Sequence, residues 1–67
     1  MKNEIYAVVN PDRIDMLTKL VEAHDNMGIV STLDQSTGRV VIRVTPDTYT
    51  EVLEILHNLP FKINIEN

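Results

Sequence analysis

Apolar residues recur at every second position in three stretches of the chain. These are Ile5, Ala7 and Val9; Val40, Ile42 and Val44; and Phe61, Ile63 and Ile65, the last set against Lys62, Asn64 and Glu66. Period-two alternation predicts strands with one buried face. A weaker strand covers Ile29 to Asp34. Elsewhere the period lengthens: Ile14, Leu17, Leu20, Val21 and His24 share one helical face, and Tyr49, Val52, Leu53, Leu56 and Leu59 share another. The first helix is expected to stop between Asp25 and Gly28, where Asn26 or Gly28 can turn left-handed, and the second at Asn58, with Pro60 barring continuation.

An internal repeat organises these elements. Val9-Asn10-Pro11-Asp12 returns 35 residues later as Val44-Thr45-Pro46-Asp47, each copy standing between a β-branched run and a helical pattern. Asn10 and Thr45 are predicted N-caps, with Pro11 and Pro46 at the first helical position, where a missing N–H costs nothing. The acid that follows suits the positive end of a helix. Asp34-Gln35-Ser36-Thr37-Gly38 separates two strands and predicts a hairpin loop with a type I turn and a left-handed Gly38.

The element order is therefore β-α-β-β-α-β, which predicts an α+β fold, the ferredoxin-like sandwich: a four-stranded antiparallel sheet of order 4-1-3-2 with both helices on one face. The right-handed crossover rule brings the first and third strands together at the centre and reads that pair as parallel. At 67 residues, with no linker or low-complexity stretch, residues 1–67 are expected to form one domain. There is no cysteine, so packing of the 21 Ile, Leu and Val residues must stabilise it alone. The apolar stretch near the N-terminus, Ile5 to Val9, is too short for a signal-peptide core or a membrane span, and a soluble cytoplasmic protein is expected.

In such a fold the sheet face opposite the helices is bare. Period-two counting puts Tyr6, Val8, Val41 and Arg43 there, with Lys62 and Asn64 beside them. A half-apolar patch of this kind is expected to be covered by self-association or by a partner. The exposed helix positions Met16 and Ala23 are a further candidate contact.

Charge and residue types then narrow the chemistry. Six Lys and Arg face ten Asp and Glu, a formal net charge of -4, which opposes nucleic-acid binding. The third strand, Arg39 to Val44, also lacks the aromatic residues on which an RNA-binding sheet of this topology stacks bases. Soft-metal capture needs a Cys-x-x-Cys loop before the first helix, and Asn10-Pro11-Asp12-Arg13 has no sulfur. His24 and His57 are read as structural residues near helix C-termini, and Asp12 and Asp15 as dipole compensation, with an Asp15–Lys19 pair. No catalytic residue, metal site or cofactor is expected.

The span from Val8 through Val44, with its strand end at Asn10, its helix from Ile14 to His24 and Gly28-Ile29-Val30 opening the second strand, resembles the ACT-like branch of the ferredoxin-like fold. It is also similar to a group of very short, uncharacterised stand-alone bacterial proteins. The resemblance implies a regulatory module that pairs through its sheets and binds amino acids at the junction of the first strand and first helix. At that junction stand Asn10, Asp12, Arg13 and Asp15, with Pro11 where a glycine is usual. These residues favour a polar or cationic ligand over a simple carboxylate. The expectation is a non-enzymatic homodimer or higher homo-oligomer with a regulatory or scaffolding role, the alternative being a stand-alone sensor of an amino-acid-like or cationic metabolite.

Overall fold

The computed structural model describes residues 3–23 and 28–66. Four strands, β1 (Glu4–Val9), β2 (Gly28–Asp34), β3 (Arg39–Val44) and β4 (Ile63–Ile65), alternate with two helices, α1 (Ile14–Glu22) and α2 (Tyr49–His57). The sheet order is β2-β3-β1-β4, the expected 4-1-3-2 read from the other edge. Every strand pairing is antiparallel. The central pair is thus not parallel: the crossover through α1 makes β1 parallel to β2, and β3 slots between them, antiparallel to both. This α+β architecture is consistent with the ferredoxin-like type.

The 35-residue offset seen in the sequence is a geometric operation in the structure. Tyr6 stands opposite Val41, and these two residues are themselves 35 apart; around them Ile5 pairs with Ile42 and Ala7 with Val40. The outer pairings follow the same rule. Gly28, Ile29 and Val30 oppose Val44, Arg43 and Ile42, while Ile63, Asn64 and Ile65 oppose Val9, Val8 and Ala7. Each half therefore contributes one central strand, one helix and one edge strand, related by an approximate twofold axis through the Tyr6–Val41 pair.

One face of the sheet carries the core. Ile5, Ala7 and Val9 of β1 and Val40, Ile42 and Val44 of β3 are buried with Ile14, Leu17 and Val21 of α1 and Val52 and Leu56 of α2. The predicted alternation is the one observed in β1, whereas β3 departs from it at Val41, which is buried as well. Gly28 is buried at the start of β2, where an added Cβ would lie 3.1 Å from both Ile42 Cγ2 and Val21 Cγ1. Its role is close packing rather than a left-handed turn. The expected helix end at Asp25 and Asn26, and His24 on the helix face, lie outside the described residues.

Both helices start later than the repeat predicts. Asn10 does cap: its side chain accepts the Asp12 amide at 3.0 Å, but Pro11–Arg13 form a 3-10 turn and the α-helix begins at Ile14. In the second copy Thr45 and Thr48 hold each other, with Thr48 Oγ1 accepting the Thr45 amide at 3.1 Å and Thr45 Oγ1 accepting the Thr48 amide at 3.3 Å, and α2 begins at Tyr49. Each proline shapes the turn before the helix, because its fixed φ suits a tight entry and its own absent N–H is not needed at the first position of that turn. At the far end Asn58 closes α2, its Nδ2 donating to the Glu54 carbonyl at 2.8 Å.

Gly38 adopts φ +80°, as the hairpin requires. An added Cβ there would collide with the Val9 carbonyl oxygen and lie 2.9 Å from Val9 C. The Gly38 carbonyl in turn accepts the Val9 amide at 2.9 Å, tying the hairpin to the end of β1. Inside the loop, Asp34 Oδ1 accepts the Ser36 hydroxyl at 2.7 Å and the Ser36 amide at 3.0 Å. The hydroxyl and then the amide of Ser36 hold the Asp34 carboxyl below its ordinary pKa.

Truncations Leu17→Ala and Ile42→Ala are each expected to lower unfolding stability by about 2 to 5 kcal/mol, read from denaturant midpoints. Gly38→Ala combines the left-handed penalty of about 1 to 2 kcal/mol with the collision at Val9, so its midpoint should fall further than that penalty alone predicts. Because the folded pKa of Asp34 is depressed, its contribution to the hairpin is present above the ordinary carboxylate range and lost as pH falls through the folded value. Hydrogen exchange at the Ser36 amide should accelerate across that acid window, beyond the intrinsic pH dependence, and the effect should vanish in Asp34→Asn.

Candidate functional site

Three surfaces come into question: the open sheet face, the β1–α1 junction and the helix layer. On the open face the register brings Glu4 opposite Arg43, Tyr6 opposite Val41 and Val8 opposite Arg39. The arginines there are paired with acids. Arg39 Nε lies 3.2 Å from Glu66 Oε1, and Arg43 Nε lies 3.9 Å from Glu4 Oε2. Arg43 Nη1 also donates to Ser31 Oγ at 3.2 Å, the Tyr6 hydroxyl donates to Glu4 Oε1 at 3.1 Å, and the Arg39 guanidinium sits 6.0 Å from the centre of the Tyr6 ring.

This network changes the expected picture of a bare apolar centre. Val41 is only 1% exposed, set between Tyr6 and Ser31 across the sheet and between Arg39 and Arg43 along its own strand. Long basic side chains can lay their methylenes over apolar surface while the charged heads reach acids. Tyr6 and Val8 remain half-buried and Arg43 exposed. Exposed apolar surface lies instead on the edge strand β2, where Ile29 is 59% and Leu33 48% exposed. Neither stands out in the sequence, because an edge strand with a register shift between Thr32 and Asp34 has no clean alternation.

At the β1–α1 junction the structure divides the four predicted residues. A shallow concavity of about 530 Å3 is bordered by Asn10, Arg13, Thr37, Phe61, Lys62 and Asn64. Asp12 and Asp15 do not line it. Both are exposed, and Asp15 does not close to ion-pair distance with Lys19. The guanidinium of Arg13 lies 5.9 Å from the centre of the Phe61 ring, within cation–π range. The charged groups that border this concavity are both cationic, Arg13 and Lys62. Phe61 and Thr37 were not among the predicted site residues, since one opens a strand and the other fills a hairpin loop, and only the fold brings both beside Asn10.

The second concavity, about 470 Å3, runs between the helices and is bordered by Leu20, Glu51, Glu54, Ile55, Leu59 and Pro60, together with Asn58. Among the described residues no group of three His, Asp or Glu side chains gathers at metal-binding distance, and no helix is long and apolar enough to cross a membrane.

No curated protein and no solved structure matches the chain. A family model described as "Domain of unknown function (DUF4911)" matches residues 8–63, a span that opens in β1 and closes in β4 and takes in both helices, the hairpin and the junction. With nearly the whole fold inside the match, the chain belongs to the DUF4911 family of domains of unknown function.

Proposed function

We propose that the chain is a cytoplasmic, non-enzymatic, ACT-like module that associates with a second copy of itself through its sheet and regulates or scaffolds a partner. The observation that carries this reading is the exposure of Ile29 and Leu33 on the edge strand β2, next to an open face whose arginines are already neutralised by Glu4 and Glu66. An unpaired edge with large apolar side chains is a ready template for another strand. The paired arginines beside it add little electrostatic penalty to the approach of a like surface.

A second reading is a stand-alone small-molecule sensor at the strand–helix junction. What supports it is the concavity beside Asn10 and Arg13, with Lys62 as a second cation. The ligand class it favours is an amino acid or small phosphate held by its anionic group, and Phe61 adds an apolar wall.

Light scattering on the full chain should report a dimer or larger species at micromolar concentration. Ile29→Lys with Leu33→Lys should shift it to monomer while circular dichroism stays unchanged, and Val41→Glu should weaken both association and folding because Val41 is buried. A wild-type monomer at every concentration would sink the association reading. For the sensor, calorimetric titration with amino acids and inorganic phosphate should give a saturable signal that Arg13→Gln lowers by about tenfold, the loss expected for one charge-assisted contact; silence for every compound removes the sensor reading.

A further inference from the structure

The helix layer presents a side that neither the core nor the sheet uses. On α1, Met16 and Leu20 are one turn apart, on the flank of the buried Leu17–Val21 stripe; their counterparts 35 residues on in α2 are Glu51 and Ile55. The twofold relation turns the two flanks toward each other. Leu20 and Ile55 are thus equivalent residues meeting at one seam, yet neither belongs to the core cluster or packs against it. The 470 Å3 concavity lies at this seam, with Leu20 of α1 on one side and Glu51, Glu54 and Ile55 of α2 on the other. Leu59 and Pro60 extend its apolar floor, and Met16, 41% exposed, lies beside Leu20 on the same flank.

Charge decides what such a groove accepts. Residues 12–22 and 47–57, which carry both helices and their first turns, hold six acids and two cations, a net of -4 that equals the formal charge of the whole chain. The open sheet face, by contrast, pairs its arginines with acids. Glu51 and Glu54 border the groove itself, and no cation among the described residues lies within ion-pair distance of either. An apolar floor with unpaired carboxylates along one wall is complementary to a chain segment that carries both apolar and basic side chains.

We propose that the seam between α1 and α2 is a docking groove for a basic segment of a partner protein, which seats apolar side chains on Leu20, Ile55 and Leu59 and sets lysines or arginines against Glu51 and Glu54. The same charge disfavours the other occupants. A second copy would bring an equally acidic helix layer to the groove, and an anionic membrane or nucleic acid would be repelled. The groove lies on the opposite side of the sheet from the open face, so it stays accessible whether or not the module self-associates.

The test is a nitrogen-15 NMR titration of the full chain with a synthetic helical peptide of leucines and lysines, alongside its leucine–glutamate counterpart. Saturable shifts should concentrate at Leu20 and from Glu51 to Leu59 with the lysine peptide, and the glutamate peptide should leave these amides unmoved. Glu51→Lys with Glu54→Lys, both exposed substitutions, should keep the spectrum folded and raise the Kd by about tenfold or more, since two charge contacts are reversed. The proposal is overturned by equal binding of the glutamate peptide or of the double variant, by shifts centred on Tyr6, Val41 and β2, or by no saturable shift at all. Broadening of Leu20, Ile55 and Leu59 that grows with protein concentration alone would assign the groove to a second copy and overturn it as well.

Discussion

The antiparallel pairing of β1 with β3 is the contact on which the remaining structure depends. It joins the two repeat-related strands at the one register that superimposes each half on the other, with Tyr6 opposite Val41. Once that register is set, the face that buries Ile5 and Ala7 on one strand buries Ile42 and Val40 on the other, so both crossovers must lay their helices on the same side. A slip of one residue would turn one strand's set of these side chains to the open face. The edges follow too, because β2 can add only to β3 and β4 only to β1.

The symmetry is in the backbone, and side-chain volumes depart from it by compensation. Where β2 begins, Gly28 leaves room for Ile42 and Val21; at the equivalent place Ile63 fills the space, and the counterpart of Ile42 is the small Ala7. Large against small in one half becomes small against large in the other, which keeps the interior close-packed without identical residues. Charge departs from the symmetry more strongly. On the sheet's open side both arginines are matched by acids in ion pairs of the surface type, weak in stability, while the helical segments carry a net charge equal to that of the whole chain. The two faces of one thin molecule therefore select different company.

Much of this was legible in the sequence for a physical reason: short-range patterns report the faces of strands and helices directly. Alternation at Ile5, Ala7 and Val9, helical spacing at Leu17 and Val21, and the left-handed Gly38 all stand as read. What local pattern does not report is which residues from distant elements meet. Asp12 and Asp15 adjoin Arg13 in sequence but turn away from the concavity that Arg13 shares with Phe61 and Lys62. Val41 alternates as a surface residue and is nonetheless covered, because its neighbours are long side chains drawn across it by acids on other strands. The helices begin three residues beyond the prolines, since a proline announces a helix entry without saying whether the α-helix starts at once or after a tight turn.

The twofold register has a consequence for connectivity. Glu66 donates its amide to the Tyr6 carbonyl at 2.8 Å, so β4 leads back toward the start of β1 just as β2 leads into β3. A link closing Glu66 to Glu4 would be the symmetry mate of the path from Ser31 to Arg39. A circular permutant opened in the hairpin and joined there would exchange the roles of the two halves and leave every strand neighbour unchanged. What the core recognises is the set of paired faces, and the order in which the chain visits them is free to vary.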